Sequence, residues 1–246
     1  GTVGWGEAPV LIKWGGDNLK YYGESTATTR HVVEDHLAQV LIGANPLDIG
    51  PIIAQMDRQV KGYPYAKAAV DIALFDMAGK LLNVPAYTLL GGLYREWVPI
   101  AHSIGIMGID EAVKEAAQVV DEGIKVVKLK VGIDPAHDVE LVRRIRATVG
   151  PNIRITVDGN QGYRTSFEAI ETLRRMEEFK IQFAEQPVEG LEEMARVARA
   201  VSMPLMADES AWTPQDVLQI NQMEAARIVS LYTTKAGGMF NAKKVA

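Results

Sequence analysis

The chain has 246 residues, 48% hydrophobic and 23% charged, with a net charge of −5 and a mean hydropathy of −0.01. These values describe an ordinary globular protein with no apolar run long enough to cross a bilayer. The acidic balance excludes no enzyme class but argues against a nucleic-acid partner, which calls for clustered Lys and Arg.

Cysteine is absent, so disulfides, thiolate nucleophiles and cysteine-based zinc sites are excluded, and any metal must sit on oxygen or imidazole donors. A cytoplasmic location fits that usage. The stretch Gly1 to Glu7 has neither the basic start nor the apolar core of a signal peptide, and it lacks an initiator Met. The chain is therefore expected to begin inside a longer protein. Trp14 to Ser25 is a polar stretch that contains Tyr21 and Tyr22. From Thr26 to about Gln59, apolar residues recur at helical spacing around a Gly-Ala-Asn-Pro break at 43 to 46, which predicts two helices. Tyr65 to Leu82 predicts a third, with Ala69, Ile72, Ala73, Phe75, Met77 and Leu81 at helix-like intervals and Asn83-Val84-Pro85 as its stop. Leu90-Gly91-Gly92 reads as a hinge.

After about Val98 the pattern changes to short β-branched runs alternating with helical segments, the signature of βαβ units around a parallel sheet. Six strands are predicted: Val98 to Ile106, Val126 to Val131, Arg154 to Val157, Gln182 to Glu185, Leu205 to Asp208, and Arg227 to Thr233. Helices are predicted between them at Glu111 to Asp121, Asp138 to Thr148, Ser166 to Phe179, Leu191 to Val201 and Pro214 to Met223. The series points to an α/β fold of the (β/α) TIM-barrel type. A doubly wound sheet is the main rival, but Gly105 and Gly108 form no G-x-G-x-x-G turn. A complete barrel takes about 250 residues, and Val98 to Ala246 is far shorter. The seventh and eighth strands are expected to be missing.

The carboxyl ends of successive strands carry the chemistry: Lys128-Leu129-Lys130, then Asp158-Gly159-Asn160, Glu185-Gln186-Pro187, and Asp208-Glu209-Ser210. Catalytic groups of a barrel gather at that end. Asp158, Glu185 and Asp208 follow one another by a single βα unit each time. Three converging carboxylates would repel one another without a cation, and all-oxygen donors favour Mg²⁺ over zinc. Any one of them alone would read as an exposed loop acid. Residues i and i+2 of a strand point the same way, so Lys128 and Lys130 share a face. Adjacent ammonium groups beside a dication disfavour each other's charge, and a lysine brought toward neutrality can act as a general base. In isolation, K-x-K is a weak motif.

With these residues in place, the sequence resembles the enolase superfamily, and within it the muconate-lactonizing enzyme / mandelate racemase family, over nearly the whole chain. Gly4-Trp5-Gly6-Glu7 is similar to the last strand of that family's capping domain. Ala69 to Lys80, with Leu89-Leu90-Gly91-Gly92, resembles its signature helix and exit. The resemblance implies a partial α+β capping domain over residues 1–95 and a partial, six-stranded barrel over 96–246. It also implies Asp158, Glu185 and Asp208 as metal ligands, Lys130 as the catalytic lysine, and Lys128 as its neighbour, tuning the base and holding the substrate carboxylate. The implied activity is Mg²⁺-dependent abstraction of the proton α to the carboxylate of a small substrate through an enediolate. A cycloisomerase, dehydratase or epimerase would do this. A homo-oligomer is expected, since an open barrel exposes strand edges.

The departure from the family pattern lies in the sixth strand. Lys235-Ala236-Gly237-Gly238 aligns with the family's Lys or Arg before x-Gly-Gly, and the position three residues earlier, usually a second lysine, is Tyr232. Lys235 is then a structural partner. A phenol, with a reference pKa of about 10, donates a proton readily but is a reluctant base. That favours one-base elimination or cycloisomerisation over racemisation, and an aromatic pocket wall is an equal reading. Ser103, Asn160, Tyr21 and Tyr22 are candidate substrate contacts. His31, His36, His102 and His137 form no i, i+4 ligand pair and read as structural or exposed. The alternative function is a catalytically silent homologue or assembly subunit.

Overall fold

The computed structural model describes residues 1–10, 13–14, 20–21 and 24–246, with only the backbone described at 13, 14, 20 and 21. Tyr22 and the side chain of Tyr21 lie outside the described residues. Strands β1 (Lys13–Trp14) and β2 (Lys20–Tyr21) pair antiparallel. Helix α1 (Thr26–His31) starts at a capping box between Ser25 and Thr28 and runs through a π turn (Val32–Leu37) into α2 (Ala38–Leu41). The chain breaks at the predicted Gly-Ala-Asn-Pro stretch and resumes as α3 (Ile49–Gln59).

Helix α4 (Pro64–Leu82) matches the third predicted helix. Tyr63 enters it in the left-handed region (φ 53°), and Asn83 leaves it the same way (φ 54°). Its first N–H groups are satisfied by Glu24, whose carboxylate accepts from Tyr65 N at 2.9 Å and Ala66 N at 3.1 Å. The small residues of α4 admit the N-terminal segment at very short range. A Cβ on Gly6 would stand 1.8 Å from Ala69 O, and one on Gly4 2.2 Å from Ala73 O, so only glycine fits. Trp5 N donates to Asp76 Oδ2 at 2.7 Å, and Lys80 Nζ donates to Val3 O at 3.0 Å. Residues 4–7, expected to be a strand, form none among the described residues. Their partners are side chains of α4 rather than a neighbouring strand. Val32, Leu37, Ile52, Ile53, Met56, Ala66, Val70 and Leu74 make one hydrophobic cluster. A short α5 (Ala86–Leu89) follows.

The remainder is a six-stranded parallel sheet in the order β3 (His102–Ile104), β4 (Val126–Lys130), β5 (Arg154–Asp158), β6 (Ala184–Glu185), β7 (Leu205–Ala207), β8 (Ile228–Val229). Helices α6 (Ile109–Asp121), α7 (Pro135–Val149), α8 (Ser166–Met176, with a 3₁₀ turn to Phe179), α9 (Leu191–Ala200) and α10 (Pro214–Gln222) return the chain between strands. This is the (β/α) order expected. A second hydrophobic cluster fills the space between sheet and helices, from Ile104 through Leu129, Ile145, Val157 and Leu173 to Leu205.

Several details differ from expectation. The last strand, predicted over Arg227 to Thr233, covers only Ile228–Val229, so Tyr232 lies beyond it. The first strand is three residues rather than nine. Its register with β4 starts at His102 opposite Val127, while Val98 and Ile100, before it, remain 68% and 70% exposed. A final helix, α11 (Met239–Val245), had no sequence-based prediction. Its first N–H groups donate to Asp71 of α4, from Met239 N at 2.6 Å and Phe240 N at 3.3 Å. Among the described residues, no helix is long and apolar enough to cross a membrane.

Candidate active site

Strand alternation decides which side chains reach the mouth of the sheet. Val127 and Leu129 are buried against the helices, so Lys128 and Lys130 project from the opposite face. Register then carries that direction across the sheet: Lys130 stands opposite Asp158, Asp158 opposite Glu185, and Glu185 opposite Met206. Asp208 is two residues beyond Met206 and faces the same way. Lys130, Asp158 and Glu185 end their strands, and Asp208 directly follows its own.

The lysines lie among the acids. Lys128 Nζ is 2.8 Å from Asp158 Oδ2 and 2.8 Å from Glu185 Oε2. Lys130 Nζ is 2.7 Å from the same Asp158 oxygen and 2.5 Å from Asn160 Oδ1. Lys235, itself only 3% exposed, donates to Asp208 Oδ1 at 2.6 Å and to Asp208 O at 2.7 Å. Burial would lower the Lys128 pKa, but Asp158 and Glu185 outweigh it and hold the ammonium well above the ordinary lysine value. The depression expected for the lysine pair does not prevail at Lys128, because Asp158 and Glu185 outweigh burial there. Glu185 is pushed upward by burial and by Asp158, with Lys128 pulling it back and Asp208 pushing again.

The turns beyond the strands are sharp. Asn160, Gln161 and Gln186 all take left-handed backbone (φ 41°, 65° and 33°), a strained arrangement of the kind that collects at functional sites. Gly159 lies so near the next turn that a Cβ there would stand 2.8 Å from Pro187 Cα. The fully buried Gln186 accepts from Asp208 N at 3.0 Å and donates to Ser210 Oγ at 2.8 Å, so the turn after β6 holds the turn after β7. Asn160 Nδ2 donates to Glu209 Oε1 at 2.8 Å, and burial pushes Glu209 up to about 7. Gln186 and Glu209 were not singled out from sequence. Their one signal was adjacency to the acids at 185 and 208.

The donor set is all oxygen, which suits a hard divalent cation such as Mg²⁺. Asp158 and Asp208 both act on Glu185, so the three acids share one neighbourhood. Among the described residues, no three acidic or imidazole side chains are gathered tightly enough to grip one ion. Ammonium groups stand between the acids instead, Lys128 joining Asp158 to Glu185 and Lys235 holding Asp208. Ser103 lies on β3 opposite Lys128, and its side chain is exposed. Tyr232 is half-buried on the segment between β8 and Lys235. His102 contacts Glu115, His31 contacts Asp35, and His137 lies 3.6 Å from Asp138, none of them part of this cluster.

Fold and site together define a (β/α) barrel-type scaffold that gathers lysines and carboxylates at the carboxyl ends of its strands. The profile of the mandelate racemase / muconate lactonizing enzyme N-terminal domain matches residues 1–91, and that of the enolase C-terminal domain-like family matches residues 111–246. The chain belongs to the enolase superfamily, in its mandelate racemase / muconate lactonizing enzyme family. Over its full length it is 37% identical to N-succinyl-L-Arg/Lys racemase of Bacillus cereus and covers 65% of that protein. The crystal structure of that racemase superposes with a TM-score of 0.88 over 91% of this chain and 61% of that one, at 38% identity. Muconate cycloisomerase 1 of Rhodococcus opacus is 35% identical over the whole chain, which covers 65% of it. A dipeptide epimerase of Cytophaga hutchinsonii, solved with Mg and the dipeptide D-Ala-L-Val, gives a TM-score of 0.85 at 33% identity over 91% of this chain and 61% of that one. The chain spans a little under two thirds of the length of these relatives.

Proposed function

We propose that the chain is the greater part of a Mg²⁺-dependent enzyme that removes the proton α to the carboxylate of a small substrate. The observation that carries this reading is the in-register row of Lys130, Asp158 and Glu185 at the carboxyl ends of adjacent strands, with Lys128 bridging the two acids. Asp158, Glu185 and Asp208 would hold the cation, with their carboxylates drawn closer together than they stand here, where Lys128 lies between the first two. Bound there, Mg²⁺ would supply the positive charge that offsets the second negative charge developing on the substrate carboxylate. Lys130 accepts the α-proton at Nζ. Lys128, kept as an ammonium by its acidic neighbours, pairs with the substrate carboxylate. Lys235 keeps Asp208 in place, and the strained turns at Asn160 and Gln186 set the walls.

The relatives named above include a racemase, an epimerase and a cycloisomerase, so the substrate class extends from N-acylated amino acids and dipeptides to muconate-like diacids. Tyr232 favours a one-base reaction, and it is also the observation that favours a catalytically silent homologue. A division near residue 95 into capping and barrel parts is supported by the separation of the hydrophobic cluster of residues 32–74 from the larger cluster of residues 104–225. A homo-oligomer is supported by the exposed apolar stretch that includes Tyr94 (91%) and Trp97 (75%).

The test is deuterium incorporation at the α-carbon in D₂O, with Mg²⁺ and a panel of N-succinyl amino acids, dipeptides and muconate. At least one acid should exchange, and Lys130→Ala should abolish that exchange. Absence of exchange with every acid, or exchange that survives Lys130→Ala, overturns the proposal.

A further inference from the structure

We propose that Glu209 is a positioning residue for Lys130 and acts through Asn160; the inference rests on the reading of Lys130 as the base. Asn160 sits between the two, its Oδ1 accepting from Lys130 Nζ at 2.5 Å and its Nδ2 donating to Glu209 Oε1 at 2.8 Å. Its backbone N–H donates to Asp158 Oδ1 at 3.0 Å, which fixes the root of the side chain. A carboxamide can be turned end for end at almost no steric cost, so its neighbours must choose the orientation. Lysine nitrogen donates and a carboxylate accepts. With Glu209 on one side, the amide nitrogen is committed to the acid and the amide oxygen to the lysine.

That orientation matters to a base. A neutral lysine amine has two N–H bonds and one lone pair around its bond to Cε. Asp158 Oδ2 and Asn160 Oδ1 take the two N–H directions, and one direction is left for the lone pair. Two fixed acceptors therefore aim the proton-accepting orbital. A reversed amide would present its own N–H to the amine and occupy that lone pair, leaving the α-proton nowhere to go.

Glu209 gains little for the fold from its place. It is 6% exposed, its Oε1 takes the Asn160 donor, and its Oε2 has no hydrogen-bond partner among the described residues. Burying a carboxylate against neutral donors alone, with one oxygen unsatisfied, costs more than it returns. A buried polar atom left in that condition calls for a reason other than stability.

The experiment compares Glu209→Gln, which keeps an acceptor, with Glu209→Leu, which removes it, and adds Asn160→Leu and the Asn160→Leu/Glu209→Leu double variant. Misaiming a base by about 1 Å costs on the order of 100-fold. Glu209→Leu should therefore lower kcat for α-proton exchange by about 10- to 100-fold, with KM held within about twofold and thermal unfolding no earlier than in the wild type. Glu209→Gln should restore most of the rate. The double variant should be no slower than Asn160→Leu alone, because the two residues act in series. A readout independent of activity is the Asn160 side-chain amide in a ¹⁵N correlation spectrum, protected from exchange in the wild type and Glu209→Gln and unprotected in Glu209→Leu. Wild-type kcat in Glu209→Leu, additive losses in the double variant, or equal impairment of both Glu209 variants would overturn the proposal. If the wild type exchanges no substrate, the functional reading fails by itself, and an Asn160 amide that stays protected in Glu209→Leu refutes the positioning contact separately.

Discussion

Asp71 offers a direct physical test of how α4 is tied to the segment that carries Lys235. The carboxyl is fully buried, accepts from Met239 N and Phe240 N, and is raised from 3.8 to about 6, chiefly by burial. Below pH 4 the group is protonated in folded and unfolded chains alike. Between about 4 and 6 the folded protein keeps a proton that the unfolded chain has released, so stability falls as pH rises, and above about 6 the loss is complete. A rise of roughly two units corresponds to about 3 kcal/mol. Asp71→Asn cannot ionise and keeps a carbonyl for the Met239 N–H. Its stability relative to wild type should therefore improve by about 3 kcal/mol between pH 4 and pH 7, with the remaining carboxylates cancelling because both proteins share them. Urea unfolding at half-unit pH steps measures this, and the Met239 amide resonance of the wild type should titrate with a midpoint near 6. Unfolding free energies that stay parallel across the range would refute the assignment.

Lys235→Met strips a buried carboxylate of its ammonium partner, which costs about 3–5 kcal/mol. It should lower the urea midpoint and abolish α-proton exchange, while adding Asp208→Asn should recover part of the stability and none of the exchange. Chelation with EDTA should stop exchange and added Mg²⁺ should restore it. Asp158→Asn should raise the Mg²⁺ concentration required, read from exchange rate against Mg²⁺.

How far the sequence alone could go is clearest in the sheet. The alternation of Val127 and Leu129 with Lys128 and Lys130, followed by an acid one βα unit later, needs nothing beyond strand geometry, and the structure has that register. Helix α4 was legible because Asn83-Val84-Pro85 stops it and its apolar spacing is dense. The ends of short strands were less legible, since Val98 to Ala101 carry β-forming residues but pair with nothing among the described residues. Helix α11 was invisible because its cap is supplied by Asp71, far back in the chain, and no local pattern encodes such a partner. The ion pairs of Lys128 were hidden for a related reason. The neighbouring lysine is adjacent in sequence, whereas Asp158 and Glu185, each 2.8 Å from Lys128 Nζ, are adjacent only in space. The Asn160–Glu209 contact likewise joins two strand ends that sequence spacing aligns but does not bring to hydrogen-bonding distance.

On the proposed reading, Tyr232 bears on the kind of proton traffic the site can sustain. Lys235, the cation on that segment, is committed to Asp208 through both its carboxylate and its carbonyl, so it is not available as a second base. On the proposed reading, Lys130 is then the sole amine that takes the α-proton, and a phenol on the segment beyond β8 can deliver a proton but competes poorly for one. Tyr232→Phe removes one hydroxyl and nothing else. Washout of the α-proton into D₂O should stay within about twofold of wild type, while any step needing a proton from another direction, such as inversion of the centre or departure of a leaving group, should slow by about 100-fold or more. Following both in one tube, exchange by ¹H NMR and product by chiral chromatography, separates the two steps. Should Tyr232→Phe lose exchange as completely as Lys130→Ala, Tyr232 takes part in proton abstraction and the one-base assignment is wrong.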